Sequence, residues 1–423
     1  MREMKDSGIS WIGEIPKEWK CLPIRALFTE NRNKNFLGKE TRALQFKYGT
    51  IIPKKNFDPE ENYVAETILN YNIVDRGMIM LNGLNLNFDF VSKRIALVTE
   101  RGIITSAYMS FYPTDTTTVL SEYSNYLLKS YDNCAAFHNM GGGVRKILNF
   151  DELKRQYFIL PSLDEQQRIA EFLDRECGKI DGLKADIQAQ IDTLEQYKRS
   201  VITEAVTHGL NPSASMKDSG AGWMPLIPLH WKADKLKFHL RQRGIKNQID
   251  KQVLSLYREY GIVPKDSRDD NHNVTSEDVS DYRYVRVGDF VVNKMKAWQG
   301  SVAVSNYEGI VSPAYFVYEF SDDLINKRYF HYLMRNKTYA TEFRRLSGGI
   351  REGQWDLPSE ALNNTIILLP PLDEQQEIAD YLDNKCAEIE QIIADKKSQI
   401  ETLDGYKKSL IFEYVTGKKE IAL

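Results

Sequence analysis

Two long stretches of the chain carry apolar residues at steps of three and four positions. The first begins after LDEQQ at 163–167 and runs from Ile169 to Val201, and the second begins after LDEQQ at 372–376 and runs from Ile378 to Leu410. Charged and amide residues fill most positions between. This period is that of an α-helix with one narrow apolar stripe. We predict two amphipathic helices of about 44 residues, each about 65 Å long at 1.5 Å per residue.

The ends of both helices and their mutual direction also follow from the pattern. Asp164 and Asp373 are suitable N-caps, and Gly209 and Gly417 are suitable stop residues. A narrow apolar stripe on a long helix must be buried against a partner, and the obvious partner is the other copy. The short connection at 211–216 then requires the second helix to run back along the first. We predict an antiparallel coiled coil.

Roughly 160 residues before each helix have a different texture. They are rich in Tyr, Phe, Val and Ile, with Gly, Asn and Pro interrupting about every 8 to 12 residues. This pattern predicts short strands with a few helices, hence a mixed globule.

The two globules repeat one plan. KDSGISWIGEIPKEW at 5–19 matches KDSGAGWMPLIPLHW at 217–231, YGTIIPK at 48–54 matches YGIVPK at 260–265, and SAYMSFY at 106–112 matches SPAYFVY at 312–318. The tryptophans and prolines of the first pair lie at the globule entrances, where we expect them to be packed anchors. The order of the landmarks predicts a pseudo-two-fold internal repeat: two similar globules held apart by the two-helix spacer.

Composition changes this picture only slightly. The net charge is −3, and no apolar run approaches the roughly 18 residues that a membrane span needs. MREMKDSGIS lacks the apolar core of a signal peptide, so we expect a cytoplasmic protein without membrane contact. Lys and Arg exceed Asp and Glu in both globules, whereas acidic residues are in excess in both helices. This small difference in charge between globules and helices favours globules that bind a polyanion.

Candidate catalytic chemistry is not visible in the sequence. There is no phosphate-binding GxxxxGK[ST], no HExxH and no methyltransferase Asn-Pro-Pro-aromatic motif, and the six histidines are scattered. The four cysteines stand far apart, without metal-ligand spacing. We therefore expect no catalytic residue and no metal site in this chain.

Two glycine-rich segments are candidates for contact with nucleic acid. MGGGVRK at 140–146 and SGGIRE at 347–352 place Arg145 and Arg351 two residues beyond the last glycine, and Lys146 follows the first. Glycine permits close backbone approach to a phosphate, and arginine can contact phosphate or read guanine with two hydrogen bonds. A helix C-cap and turn is the equally weighted alternative.

A second pair of segments, FVSKRIA at 90–96 and VVNKMKAWQGS at 291–301, is also basic. Strand alternation puts Lys294, Lys296 and Trp298 on one side of the second segment, followed by Gln299, which can pair with adenine. Lys93 and Arg94 occupy the first segment. A solvated strand face is the alternative explanation.

Taken together, WIGEIPKEW, WMPLIPLHW, LPSLDEQQRIAEFLD and LPPLDEQQEIADYLD resemble the specificity subunit of type I restriction-modification systems over the whole chain. The resemblance implies an α+β fold class: two similar mixed α/β target recognition domains joined by two long antiparallel coiled-coil helices. It divides the chain into target recognition domains at 1–160 and 210–369 and conserved spacer helices at 161–209 and 370–423.

The resemblance also implies a function in host defence against foreign DNA. Each globule is expected to read one half of a bipartite, asymmetric target in double-stranded DNA, while the helices set the spacing and dock two modification (methyltransferase) subunits. S-adenosylmethionine, ATP and Mg are expected in partner subunits, including restriction (translocase and nuclease) subunits, and none in this chain. The alternative is a non-catalytic coiled-coil scaffold whose globules bind proteins.

Overall fold

The computed structural model consists of two compact units. Unit 1 comprises residues 1–187 and 398–423, and unit 2 comprises residues 188–397. The structure describes residues 2–55, 57–58, 67–142, 144–258, 260–267, 275–349 and 355–421. Each unit contains one globule and a section of both long helices.

Unit 1 is built on a four-stranded antiparallel sheet and four two-stranded pairs. The strands are β1 Met4–Asp6, β2 Glu14–Pro16, β3 Lys20–Pro23, β4 Phe28–Glu30, β5 Leu44–Lys47, β6 Thr50–Pro53, β7 Asn72–Val74, β8 Ile79–Leu81, β9 Ile95–Leu97, β10 Gly102–Ile104, β11 Met109–Pro113 and β12 Tyr157–Leu160. The sheet order is β4-β11-β8-β9, beside β1-β2, β3-β12, β5-β6 and β7-β10. Helices α1 Ser121–Asn133 and α2 Phe150–Leu153 complete the globule.

Unit 2 repeats this topology. Its strands are β13 Met216–Asp218, β14 Leu226–Pro228, β15 Lys232–Lys235, β16 Leu240–Arg243, β17 Leu254–Tyr257, β18 Gly261–Pro264, β19 Arg283–Val285, β20 Phe290–Asn293, β21 Val302–Val304, β22 Gly309–Val311, β23 Tyr315–Phe320 and β24 Ile366–Leu369. The sheet order is β16-β23-β20-β21, beside β13-β14, β15-β24, β17-β18 and β19-β22. The helices of this globule are α4 Lys327–Arg335, α5 Lys337–Leu346 and α6 Ser359–Asn363, and the long helices are α3 Leu163–His208 and α7 Leu372–Val415. The internal repeat predicted from the sequence is confirmed at the level of strand order.

The entrance tryptophans are packed anchors, as predicted. Trp19 and Trp231 are 1% and 0% exposed. The Trp19 indole Nε1 donates to Glu165 Oε2 at 2.9 Å, and Trp231 Nε1 donates to Glu374 Oε1 at 3.1 Å. Each anchor therefore ties a globule to the first turn of a long helix.

A buried tyrosine joins each globule to the end of the other long helix. In unit 1, the Tyr123 hydroxyl lies 3.1 Å from the carbonyl oxygens of both Ile159 and Val415. In unit 2, the Tyr329 hydroxyl lies 3.2 Å from Leu368 O and 3.4 Å from Val206 O. In each unit one hydroxyl therefore joins the last strand of the globule to the C-terminal end of the other long helix.

Within each unit the two long helices run antiparallel. In unit 1, Lys407 Nζ lies 2.6 Å from Asp181 Oδ1, and Lys184 pairs with Asp404. In unit 2, Lys198 pairs with Glu390, and Lys396 donates to Gln190. The partner number falls as the α3 number rises in both units, which confirms the predicted direction.

The predicted N-caps were both wrong by two positions. Because α3 and α7 begin at Leu163 and Leu372, Asp164 and Asp373 lie within the first turn, where their charge still complements the helix dipole. At α3 the capping oxygen belongs to Ser162, whose Oγ accepts from Glu165 N at 3.3 Å. The predicted stops are confirmed, since Gly209 directly follows α3 with a φ of +80° and Gly417 lies two residues after the end of α7 with a φ of +70°.

Candidate nucleic-acid interface

In unit 1 the structure brings the glycine-rich segment and the segment after β8 together. Gly142 pairs with Ile147 as an antiparallel bridge. Leu148 N donates to Gly83 O at 2.9 Å. This bond attaches the end of the glycine-rich segment to the loop that follows β8. We call the surface formed by residues 82–94 and 140–148 the unit 1 loop pair.

Asn87 fastens this loop pair through its side chain. Its Oδ1 accepts from Lys146 N at 3.1 Å, and its Nδ2 donates to Val144 O at 3.1 Å. Leu86 N also donates to Lys146 O at 3.0 Å. The backbone around Arg145 is therefore held by one amide side chain, which leaves the Arg145 side chain exposed.

Glycine is required at two positions because another stretch of backbone lies too close for a Cβ atom. A Cβ at Gly83 would lie 2.3 Å from Leu148 O, and a Cβ at Gly141 would lie 2.7 Å from Ile147 O. Gly141 also has a φ of +85°, in the left-handed region that L side chains rarely adopt. These glycines are explained by packing of the loop pair, whereas Gly142 has open space around its Cβ position.

Arg94 does not face solvent in this structure. Its side chain is 0% exposed, and Nη1 donates to Asn82 O at 3.1 Å and Leu84 O at 2.8 Å. Nη2 donates to Asp89 O, and the Arg94 backbone N donates to Asp132 Oδ2 at 2.8 Å. Arg94 thus holds the loop after β8 in shape, while its neighbour Lys93 is exposed.

Aromatic and apolar side chains project from the unit 1 loop pair. Phe90 is 69% exposed and stacks on His138 with ring centroids 4.8 Å apart. Val144 is 93% exposed. Exposed apolar groups beside Arg145 and Lys146 suit a ligand that offers both flat bases and phosphates.

Unit 2 brings together the corresponding two segments. Gly348 pairs with Asp356 as an antiparallel bridge, and Leu357 N donates to Lys294 O at 2.9 Å. Lys294 Nζ also lies 2.8 Å from Asp356 Oδ2. Lys294 follows β20 as Gly83 follows β8, so the attachment point is the same in both globules.

The predicted strand alternation through VVNKMKAW is wrong. β20 ends at Asn293, and residues 297–299 form a 3₁₀ turn. The cause lies in Asn293, whose Oδ1 accepts from Met295 N at 3.2 Å and bends the chain. Lys296 and Gln299 are nevertheless exposed, whereas Lys294 is partly buried against Asp356.

We define the unit 2 loop pair as residues 293–300 and 347–349 with 355–357; two of its tryptophans lie beside an arginine of α5. Trp298 and Trp355 have ring centroids 5.7 Å apart, and the Arg344 guanidinium lies 5.9 Å and 5.8 Å from the two centroids. Arg344 and Trp355 carry no signal in the sequence, since they come close only in the folded chain. Arg351 lies outside the described residues.

The described part of the chain holds no group of three His, Cys, Asp or Glu side chains arranged to bind a metal ion. Among the described residues, no helix has the length and apolar character to cross a membrane.

The comparisons with known proteins agree on one family. The model for the type I restriction modification DNA specificity domain matches residues 94–193 and 245–402, more than half of the chain. The MjaVIII type I restriction enzyme specificity subunit of Methanocaldococcus jannaschii is 26% identical over 323 residues, 70% of this chain and 69% of that protein. The putative MjaX specificity subunit of the same organism is 22% identical over 428 residues, 96% of this chain and 95% of that protein.

A solved structure supports the fold. One chain from work on complex assembly and conformational transition of the type I R-M system has a TM-score of 0.68 at 14% identity, covering 96% of this chain and 99% of that chain. The fold, the repeated loop pair and the match to the family model over both halves agree, and the chain therefore belongs to the family of type I restriction-modification DNA specificity subunits.

Proposed function

We propose that each globule reads one half of a bipartite, asymmetric DNA target through its loop pair. The observation that carries this proposal is that both globules attach a glycine-rich segment at the same place on the same sheet topology. The side chains presented there differ: Phe90, Val144 and Arg145 in unit 1, and Lys296, Trp298 and Arg344 in unit 2. Two related domains that recognise different half-sites require the same backbone arrangement with different side chains at the DNA.

Lys93, Arg145 and Lys146 in unit 1, with Lys296 and Gln299 in unit 2, remain our candidates for direct DNA contact, together with Arg351. Lys294 and Arg94 support their loops in this structure, so we propose that they act by positioning those loops.

The two long helices are proposed to set the spacing of the half-sites and to dock two modification subunits. Those partners would bind S-adenosylmethionine, and restriction subunits would bind ATP and Mg. This chain would then recognise the DNA sequence, and its partners would catalyse the reactions. We expect the assembly to act in the cytoplasm.

Exchange of one globule tests modular reading. Residues 217–362 are replaced by the corresponding region of a relative, and methylated sites are mapped in cells that express the chimera with its modification subunits. We expect one half-site to change, while the other half-site and the spacing stay the same. A simultaneous change in both half-sites would contradict independent readers. Absence of salt-sensitive DNA binding by the assembled wild-type complex would instead favour a protein-binding scaffold.

A further inference from the structure

A basic groove in unit 2 lies beside the loop pair and is not explained by base reading. It is an open cavity of about 2060 Å³ between the globule and the long helices. Nine Lys or Arg side chains and four carboxylates line it, in a chain whose net charge is −3. Gln299 of the loop pair also lines it, so the groove is continuous with the proposed reading surface.

Within the groove, ion pairs neutralise a larger share of the carboxylates than of the Lys and Arg side chains. Asp383 accepts from Arg328 and from the Tyr332 hydroxyl, Glu390 pairs with Lys198, and Glu342 pairs with Arg345. His331, at the groove wall, has its pKa lowered to about 4 by burial, so the ring is neutral near pH 7. The groove therefore presents an excess of positive charge.

Arg335 on α4 lies at the centre of this arrangement. Its Nη2 donates to Arg258 O at 2.8 Å, and a Cβ at Gly261 would lie 2.8 Å from its Nη1. The guanidinium thus packs on the start of β18, directly after Tyr260, which is 57% exposed. Burial of the guanidinium lowers the pKa of Arg335.

Unit 1 carries a lysine at the sequence position that corresponds to Arg335, although there the glycine after the exposed tyrosine is contacted by Lys93. Lys129 on α1 occupies the position that corresponds to Arg335 when Tyr126 is matched with Tyr332. The β5-β6 turn corresponds to the residues before β18: Tyr48 is 81% exposed, and a Cβ at Gly49 would lie 2.8 Å from Lys93 Cβ. Lys407 corresponds to Lys198 of unit 2, and each lysine is paired with the matching carboxylate of the other long helix.

The unit 1 cluster concentrates like charge. Burial, and then the charges of Lys407 and Lys93, lower the pKa of Lys129 to about 8. Within the described residues, no carboxylate forms an ion pair with Lys129 or Lys93. Lys407 is already paired with Asp181, so Lys129 and Lys93 are the cations of this cluster that a phosphate would neutralise.

We propose that the helix cation, the exposed tyrosine and the long-helix lysine form, in each unit, a clamp for the DNA phosphate backbone that acts independently of base sequence. The proposal rests on the proposed function and assigns a separate task to these residues. Three arguments favour DNA over an acidic protein segment: the clamp repeats where the reading side chains differ, it is continuous with both loop pairs through Lys93 and Gln299, and lysine, arginine and tyrosine are the side chains that donate to phosphate oxygens.

Substitution of the helix cations tests the clamp. The full chain, assembled with its modification subunits, is prepared as Lys129→Gln, Arg335→Gln and the double variant. Affinity is measured for a duplex that contains the target and for one that does not, from 50 to 200 mM salt. We expect affinity for both duplexes to fall by the same factor, and the slope of log affinity against log salt to shrink by about 0.9 for each cation removed. Lys129→Arg should restore the slope.

The control is Lys20→Gln, which removes an exposed lysine on β3 outside the cluster. If substitutions at the buried positions prevent folding, two exposed cations beside the clamps can be removed instead: Lys47→Gln, next to the Tyr48 ring, and Lys337→Gln, in the lining of the groove. Both should reduce the slope in the same way. An unchanged salt slope in variants that fold and assemble overturns the proposal.

Loss of modification subunits with unchanged DNA affinity would assign these residues to protein docking and would also overturn it. Failure of the proposed function has a different signature, because the wild-type assembly itself would then show no preference for the target duplex.

Discussion

At the scale of single residues, Arg94 and Arg145 resemble each other in sequence but differ in environment. Arg94 is buried and bonded to three carbonyl oxygens, whereas Arg145 is exposed on a backbone held by Asn87. Arg94→Met leaves buried carbonyls without donors, so we expect a loss of about 3 kcal/mol in the free energy of unfolding. Denaturant unfolding of the full chain measures this loss.

Arg145→Met is the matched variant. We expect stability within about 0.5 kcal/mol of wild type, since the side chain is exposed. DNA affinity should fall for all duplexes if Arg145 contacts phosphate, or by about 1–3 kcal/mol at one base position if it reads a base. Equal destabilisation by both variants would contradict the different roles assigned to them.

Burial of Arg94 could not have been predicted from FVSKRIA, because a charged residue is normally exposed and the three carbonyl acceptors come from residues 82–89. Lys93, Arg145 and Gln299 are exposed, and their contact with DNA stays a prediction. Local pattern identified the charged segments, but only tertiary contacts decide which side chain of a segment is turned inward.

At the scale of elements, the glycine-rich segment is explained by packing. A Cβ at Gly141 meets Ile147 O at 2.7 Å with φ at +85°, while a Cβ at Gly142 meets nothing within 4 Å. We expect Gly141→Ala to destabilise unit 1 by about 1–3 kcal/mol through backbone strain and to weaken target binding. Thermal unfolding and DNA titration of the same sample measure both effects.

The neighbouring variant Gly142→Ala should retain stability and DNA affinity. A strong loss of affinity in stable Gly142→Ala would instead mean that this glycine lets a phosphate approach the backbone closely, which is the role considered for the segment from its sequence.

The long helices were the most predictable elements. Their apolar period extends over many turns, and a glycine follows the C-terminal end of each helix. Leu183, Tyr197, Ile392 and Tyr406 are exceptions on the predicted stripes, with exposures of 53%, 49%, 38% and 57%. VVNKMKAW was misassigned since apolar alternation continues beyond Asn293, whose side chain turns the backbone. A side-chain bond to the backbone outweighs alternation over so few residues.

At the scale of the whole molecule, the paired long helices are the proposed ruler. Lengthening must leave each unit intact, which excludes residues 203–207, because Ala205 and Val206 are buried in the core of unit 2. Suitable positions are Ile187/Gln188 in α3 and Lys397/Ser398 in α7, where the units divide. Seven helix-forming residues inserted at both positions keep the apolar stripe on nearly the same face.

The double insertion adds about 10.5 Å of helix, or about three base pairs at 3.4 Å each. Three base pairs also rotate the second half-site by about 100° around the duplex, so we expect the spacing to increase by two or three base pairs. The half-site sequences should stay the same. Maps of methylated sites provide the measurement, and an unaltered spacing in an active assembly would contradict the proposed role of the helices.

The last turns of α7 belong to the core of the first globule: Leu410, Ile411 and Val415 are buried there, and Arg2 pairs with Glu420. Synthesis on the ribosome proceeds from the N-terminus, so unit 1 begins first but lacks these side chains until nearly the whole chain has emerged. Every residue of unit 2 has by then been made. The order of completion is therefore the reverse of the order of synthesis, and during translation the first globule is the one that must keep an unfinished apolar surface from aggregating.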